Sequence, residues 1–189
     1  MATRKNHNDI DVFMDNGLYV PTRTISMGGE TIDHELSEQI IKNLHVLDNL
    51  NNDPLTIILN SNGGDCNQGM SIYEAIRLCK SHVTVKVIGQ VQSMAAWILQ
   101  IADHRMMSRN SRLMIHTGVM GLPDDHPENN KKWMKQWEKD EIIFEDILLE
   151  KIKVKHPDFT RKKIKDMLRF DTILTPEEAL ELGLIDEIV

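Results

Sequence analysis

The chain has 189 residues, 41% of them hydrophobic and 27% charged, which fits one globular domain large enough to need no disulfide staples. Its formal net charge of −7 leaves no global positive field to gather phosphate, which argues against a general nucleic-acid binder. No segment reaches the ~18 apolar residues of a membrane span, and no apolar run follows Met1–Asn6 as in a signal peptide, so the expected location is the cytoplasm or an organelle interior.

In chain order, residues 1–9 are polar. Ile10–Met14 and Leu18–Ser26 flank Asp15-Asn16-Gly17, and Asn-Gly between apolar runs predicts a hairpin, because its turn needs positive φ at both central positions. Residues 1–26 therefore read as an N-terminal segment with a hairpin. A helix is expected over Asp33–Asn49, with Leu36, Ile40, Leu44 and Leu47 on one face. Three strand–helix units follow: strand 55–60 with helix 68–80, strand 83–89 with helix 93–103, and strand 112–117 with a long helix near 130–154. The alternation implies an α/β fold with largely parallel pairing. Trp133, Trp137, Phe144, Leu148 and Ile152 recur at helical spacing on the long helix. This stripe suits either another subunit or the chain's own core. A short helix near 160–168 precedes Asp171. The last helix has a capping Thr175, Pro176 at its first position, Glu178 to complete a capping box and Gly183 to end it. Leu184–Val189 reads as a final strand.

Two of the strand-to-helix turns carry the chemistry. Ser61-Asn62-Gly63-Gly64 follows the apolar run Leu55–Leu59 and offers glycine amides at a bend. Gly89-Gln90-Val91-Gln92-Ser93-Met94 offers a serine where a helix begins. Side by side, the turns would supply a nucleophile and the donors for an oxyanion. Serine at a helix start is most often a cap. Ser93 stands out because it follows a glycine-bounded strand end, precedes the small residues Ala95 and Ala96, and sits where a helix N-terminus favours negative charge. His116 closes the strand Leu113-Met114-Ile115-His116. A histidine so placed is often a packing residue, but it is also the natural general base. A third group, usually a carboxylate, should hold its tautomer, and 29 acidic residues compete for that place.

Other chemistries fit less well. Gly64-Asp65-Cys66-Asn67-Gln68-Gly69-Met70-Ser71 approaches a phosphate-binding loop, but Met70 stands where nucleotide chemistry needs lysine. The Gly-x-Ser-x-Gly elbow is absent, which argues against the α/β-hydrolase fold. No histidine pair has zinc spacing, so no metal is expected. No carboxylate pair stands out for glycosidase chemistry. Cys66 and Cys79 form no Cys-x-x-Cys, and a reduced interior suits them better than a disulfide.

Taken together, the motifs resemble ClpP, the proteolytic subunit of the ATP-dependent Clp proteases, over about residues 20–189. Ile58-Leu59-Asn60-Ser61-Asn62-Gly63-Gly64 is similar to that family's Asn-Ser-Pro-Gly-Gly strand and turn, and Gly69-Met70-Ser71-Ile72-Tyr73 to its next helix. Gly89–Met94 resembles the nucleophile segment and Asn110–His116 the histidine strand. Phe170-Asp171 with Thr175–Asp186 resembles the acid segment and its Glu-Ala-x-x-x-Gly-Leu-Ile-Asp ending.

The resemblance implies a catalytic triad of Ser93, His116 and Asp171, with oxyanion donors at the amides of Gly64 and Met94. It implies a crotonase-like fold of stacked β/α units in one domain spanning 1–189, with residues of about 118–156 forming a protruding handle. It further implies serine endopeptidase activity on unfolded polypeptides inside two stacked seven-membered rings. A hexameric AAA+ ATPase of the ClpX, ClpA or ClpC type would feed the chamber. Hydrolysis itself needs no cofactor; ATP belongs to the ATPase.

The chain also departs from the family pattern. Asn62 replaces a proline, Thr117-Gly118 replaces Gln-Pro, and Met120–Asn130 is longer and more acidic than the usual stretch lining the substrate groove. The family's ATPase-docking pocket is apolar and partly aromatic; its counterparts are Thr56, Ile58, Leu78 and Lys86. Two alternatives follow: a weakly active or regulatory ring subunit that assembles with another ClpP-like chain, and an acyl-CoA hydratase or isomerase of the same fold. The first type usually lacks triad residues, and this chain keeps all three. The second leaves Ser93 and His116 without a role.

Overall fold

A computed structural model describes residues 15–189, apart from Glu30, Met120 and Pro123. The strand expected over Ile10–Met14 lies outside the described residues. The Asn-Gly turn has the backbone its sequence calls for, with φ of 50° at Asn16 and 72° at Gly17. The run expected over Leu18–Ser26 is broken in two. Strand β1 (Leu18–Tyr19) and strand β2 (Thr24–Gly29) pair antiparallel across a short 3-10 turn, Val20–Thr22. Pro21 fixes that turn by removing a ladder donor.

Helix α1 (His34–Leu50) starts where Asp33 accepts the Leu36 amide at 2.9 Å, and it buries Ile40, Leu44 and Leu47. Strand β3 (Leu55–Ser61) leads to α2 (Cys66–Leu78), which Asp65 caps by accepting the Gln68 amide at 2.9 Å. Strand β4 (Val83–Gln92) leads to α3 (Met94–Gln100). α3 ends three residues before the expected 103. Asp103 turns its carboxylate to the Val83 amide at 2.8 Å, and the chain enters β5 (His104–Met107), a strand the periodicity did not show. Next come β6 (Arg112–Ile115), α4 (Pro127–Lys155), α5 (Arg161–Leu168), β7 (Thr172–Leu174), α6 (Pro176–Leu182) and β8 (Glu187–Ile188). β7 also has no signature in the sequence. The capping box of Thr175 and Glu178 forms as expected, and Gly183 ends α6 at φ 81°.

The strands form one mixed sheet in the order β1-β2-β3-β4-β5-β8, with β6 and β7 branching from β4. Pairing is parallel from β2 to β5, at β5–β8 and at β4–β6; β1–β2 and β6–β7 are antiparallel. The branch is possible because β4 serves two neighbours. Thr84–Val87 pairs with β5 and Gln90–Gln92 with β6. Between them Gly89 bends the strand at φ 99°, and the register against β3 slips between Leu59 and Ser61. Asn60 and Ser111 satisfy the amides that the bend frees: Asn60 Oδ1 accepts from Gln90 at 3.1 Å and Ser111 Oγ from Gly89 at 3.1 Å.

The core lies under this sheet. Inward residues alternate along β3 (Leu55, Ile57, Leu59) and β4 (Val83, Val85, Val87), and α3 is buried along its whole length. Arg105 on β5 is a charged residue among the buried ones, at 8% exposed. Its guanidinium meets Asp186 at 2.6 and 3.0 Å and the carbonyl of Gly183 at 2.9 Å, clamping β5 to the C-terminal segment. Burial pushes the Asp186 carboxyl up, but the hydrogen bonds and charge of Arg105 outweigh it and hold it below the usual carboxylate range. Among the described residues no helix is long and apolar enough to cross a membrane.

Candidate active site

The two glycine-bearing turns lie against each other at the ends of β3 and β4. Gly63 touches the serine turn so closely that a Cβ there would fall 2.7 Å from Ser93 Cβ and 3.0 Å from the Met94 amide nitrogen. The side chains join them too, since Asn62 Oδ1 accepts from Gln90 Nε2. Asn62, which departs from the proline of the resembled turn, therefore cross-links the two.

Gly64 is held by Ile32 in a single parallel bridge: the Ile32 amide reaches the Gly63 carbonyl at 2.7 Å, and the Asp65 amide reaches the Ile32 carbonyl at 2.8 Å. In such a bridge the central residue's own N–H and C=O point to the opposite side. The Gly64 amide is thereby turned away from Ile32. A Cβ at 64 would fall 2.4 Å from the Ile32 carbonyl oxygen, so this approach requires glycine. The amide of Met94 opens α3, where a helix has no partner of its own for its first N–H groups.

Ser93 departs from its sequence reading in one respect. It makes no side-chain cap, and its backbone sits at φ 49°, ψ −132°, a conformation that non-glycine residues rarely adopt. Its amide is fixed to the Met114 carbonyl at 2.9 Å, and the Ala96 amide reaches its carbonyl at 2.8 Å. The hydroxyl is thus free to face another element. His116 supplies it: Nε2 lies 2.9 Å from Ser93 Oγ.

Strand register selects the carboxylate that composition could not. β6 and β7 pair Leu113 with Leu174, Met114 with Ile173 and Ile115 with Thr172. One step further sets His116 opposite Asp171, and His116 Nδ1 lies 3.1 Å from Asp171 Oδ1. The acid is the more open end of the group, with Asp171 side chain 65% exposed against 27% for His116. Ser93, His116 and Asp171 therefore form one chain of side-chain contacts, Met94 follows Ser93 in sequence, and Gly64 follows the glycine that touches the serine turn. The arrangement can draw the hydroxyl proton onto an imidazole whose far nitrogen is held by a carboxylate.

Sequence reading missed the wall of the site. Trp137 of α4 lines the hollow at Ser93 together with Met94, Trp97, Gly118 and Phe144. Trp97 donates its indole N–H to the Phe144 carbonyl at 3.0 Å and meets the Phe144 ring edge-on at 5.5 Å. Cys66 also borders this hollow; burial pushes its thiol up, with Asp65 adding to the effect, so it is no rival nucleophile at neutral pH. Both cysteines are free, and burial raises Cys79 to about 11.

The Clp protease family model matches residues 10–189. The chain belongs to the Clp protease family. It is 30% identical over 164 residues to an ATP-dependent Clp protease proteolytic subunit from Deinococcus radiodurans, covering 85% of this chain and 78% of the relative. It is 32% identical over 184 residues to ATP-dependent Clp protease proteolytic subunit 2 from Treponema denticola, covering 96% and 88%. Among solved structures, a ClpP1 mutant from Listeria monocytogenes superposes with a TM-score of 0.74 at 28% identity, over 90% of this chain and 92% of that one. The Clp fold expected from the sequence is thus the fold observed.

Elsewhere the resemblance is followed only in part. Ile58 and Lys86 are register neighbours, and Ile58 borders a groove of about 350 Å³ with Leu18 and Tyr19. Tyr19 is an aromatic that the sequence reading did not place there. Leu78 lines a different hollow, with Ile41 and His45. The long helix begins at Pro127 rather than near 130, capped by His126. Its stripe divides. Leu148 and Ile152 are fully buried in the chain's own core and Phe144 packs on Trp97, whereas Trp133 is exposed; Met134, Ile142 and Ile143, which lie off the stripe, are exposed as well.

Proposed function

We propose that this chain is the proteolytic subunit of a Clp-type protease and a serine endopeptidase. The carrying observation is the continuous relay from Ser93 Oγ to His116 Nε2, at 2.9 Å, and from His116 Nδ1 to Asp171 Oδ1, at 3.1 Å. With the Nδ1 proton donated to Asp171, Nε2 keeps its lone pair for the Ser93 proton. Ser93 Oγ attacks the scissile carbonyl carbon as its proton passes to His116. The oxyanion forms between the amides of Gly64 and Met94, each such donor being worth ~3 kcal/mol in the transition state. Collapse expels the amine, which takes the proton from His116, and leaves an acyl-serine. A water then gives its proton to His116 and attacks the acyl carbon; as the bond to Ser93 Oγ breaks, His116 returns that proton to Oγ, and the new carboxyl end is freed.

Membership of the Clp protease family carries with it assembly into rings and an ATPase partner. We place the ring-to-ring contact on the exposed residues Trp133, Met134, Ile142 and Ile143 of α4. The substrates of this reading are unfolded polypeptides, and no cofactor enters the hydrolysis.

The test is Ser93→Ala. Peptide cleavage and fluorophosphonate labelling should both disappear while sedimentation stays that of the wild type. Turnover that survives the substitution would dismiss Ser93 as the nucleophile.

A further inference from the structure

The hollow beside the nucleophile is narrow, and Trp137 forms one of its walls. Ser93, His116 and Met94 line a cavity of about 20 Å³, space for about one water. Directly behind it lies a cleft of about 610 Å³ bordered by Thr31, Gly64, Asp65, Val119, Trp133 and Gln136. Trp137 and Cys66 line both. Trp137 and Cys66 therefore stand between the nucleophile's hollow and the cleft, and the indole is the bulkier of the two.

Three features keep the indole there. Its N–H donates to Glu141 Oε1, one helical turn on, at 3.1 Å. Gly118 offers no side chain to push it out: a Cβ at 118 would lie 3.2 Å from Trp137 Cη2. Phe144 and Trp97 fill the space behind the hollow and are locked to each other by the indole hydrogen bond and the edge-on ring contact.

This inference rests on the nucleophile reading above. When an acyl carbon is bonded to Ser93 Oγ and its oxygen lies between the Gly64 and Met94 amides, the side chain on the next carbon is placed beside the hollow that Ser93, His116 and Met94 line. We propose that Trp137 sets the cleavage preference of this protein by restricting the residue on the acyl side of the scissile bond to small side chains, alanine and glycine in particular. A leucine or phenylalanine side chain exceeds a space of about one water and can seat within the hollow only by displacing the indole. The cost falls on the acylation step, where the side chain must seat while the carbonyl reaches the oxyanion amides.

The experiment measures labelling rates at Ser93 in the assembled full-length protein, using peptidyl diphenyl phosphonates that differ only in an alanine-like or leucine-like side chain at the reacting residue. A small alkyl fluorophosphonate with no such side chain reports the nucleophile alone. The expected result for the wild type is labelling by the fluorophosphonate and at least about ten-fold faster labelling by the alanine probe than by the leucine probe. In Trp137→Ala the hollow opens into the cleft, and the leucine-to-alanine rate ratio should rise at least about ten-fold. Trp137→Leu should give an intermediate ratio. Equal or faster wild-type labelling by the leucine probe, with the fluorophosphonate reacting normally, overturns the role of Trp137 and leaves the nucleophile standing. This arm needs no variant and does not depend on how the substitutions fold. A Trp137→Ala ratio equal to that of the wild type overturns it as well. No fluorophosphonate labelling at Ser93 removes the nucleophile reading and this inference with it.

Discussion

Replacing Gly63 with alanine should disable the site without dissolving the fold. The new Cβ would lie 2.7 Å from Ser93 Cβ and 2.7 Å from the Gln92 carbonyl oxygen. Ordinary contact begins at 3.4 Å, so the serine turn must retreat by about 0.7 Å from the glycine turn. The atoms that resist are backbone and Cβ, not the far end of a flexible side chain, so the shift passes to Ser93 and Met94. A misplacement of this order costs roughly 100-fold in rate, and pulling the Met94 amide off the oxyanion adds a loss of similar kind. The expected fall in kcat/KM is therefore about 100-fold or more. The positive φ of 92° adds backbone strain, typically ~1–2 kcal/mol of stability for an alanine. Gly29→Ala separates the two effects. Gly29 also has a positive φ, 146°, but nothing lies within 4 Å of its added Cβ. It should lower the melting temperature and leave kcat/KM unchanged. Peptide hydrolysis and thermal unfolding on both variants supply the comparison. Wild-type turnover by Gly63→Ala, or an equal loss of turnover by both variants, would refute the argument that contact between the turns positions the nucleophile.

Two further changes test the fold and the assembly. Asp186→Ala leaves the guanidinium of Arg105 buried without its carboxylate; Asp186 itself is 34% exposed, so the full cost of a broken buried pair is discounted to about 2–3 kcal/mol at neutral pH. Because the folded carboxyl titrates below the unfolded one, its contribution is complete above the ordinary aspartate value of ~3.9 and is lost as pH falls through the lower folded value. Urea unfolding should show the difference between wild type and variant shrinking in acid, and a difference independent of pH would exclude this role. In the assembly, Ile142→Glu with Ile143→Glu places two charges on the exposed face of α4 and should reduce the sedimenting mass to that of a single ring; an unchanged mass would move the ring contact elsewhere.

Much of the fold was legible because its signals are local. Thr175 and Gly183 act on amides or carbonyls within one turn, and the caps they predicted form; Asp33 and Asp65 cap their helices in the same local way, though the sequence reading did not name them as caps. β5 was not legible, because its inward residue Arg105 is charged and its partner Asp186 lies 81 residues away. β7 is three residues long and is defined only by its pairing with β6. Motif resemblance, not residue chemistry, singled out Asp171. The physical reason became visible only through that pairing, which places it across from His116. Trp137 was read as part of one continuous stripe. Helical spacing shows which residues share a face, but not that the lower half of that face meets the chain's own core while Trp137 meets the nucleophile.

The placement of Ser93 follows from the fork in β4. A strand that stayed straight would keep its end in the ladder between β3 and β5, where a side chain faces either the core or the opposite surface. Gly89 bends the strand, and Gln90–Gln92 pairs with β6 instead. That exchange brings the end of β4 beside the strand that carries His116, and the Ser93 amide takes the Met114 carbonyl as the last rung. The unfavourable backbone of Ser93 is then imposed from three directions: β6 through that rung, α3 through the Ala96 amide, and the Gly63 turn through direct contact. Strain at one residue persists where its surroundings over-determine it. Here the determinants are the same elements that carry the histidine and the amides proposed to hold the oxyanion. The conformation that exposes the hydroxyl and the geometry that would use it therefore share one cause. A change that relaxes Ser93 should also displace its partners, which is why the Gly63 contact is a sharper probe of the site than removal of any one of its side chains.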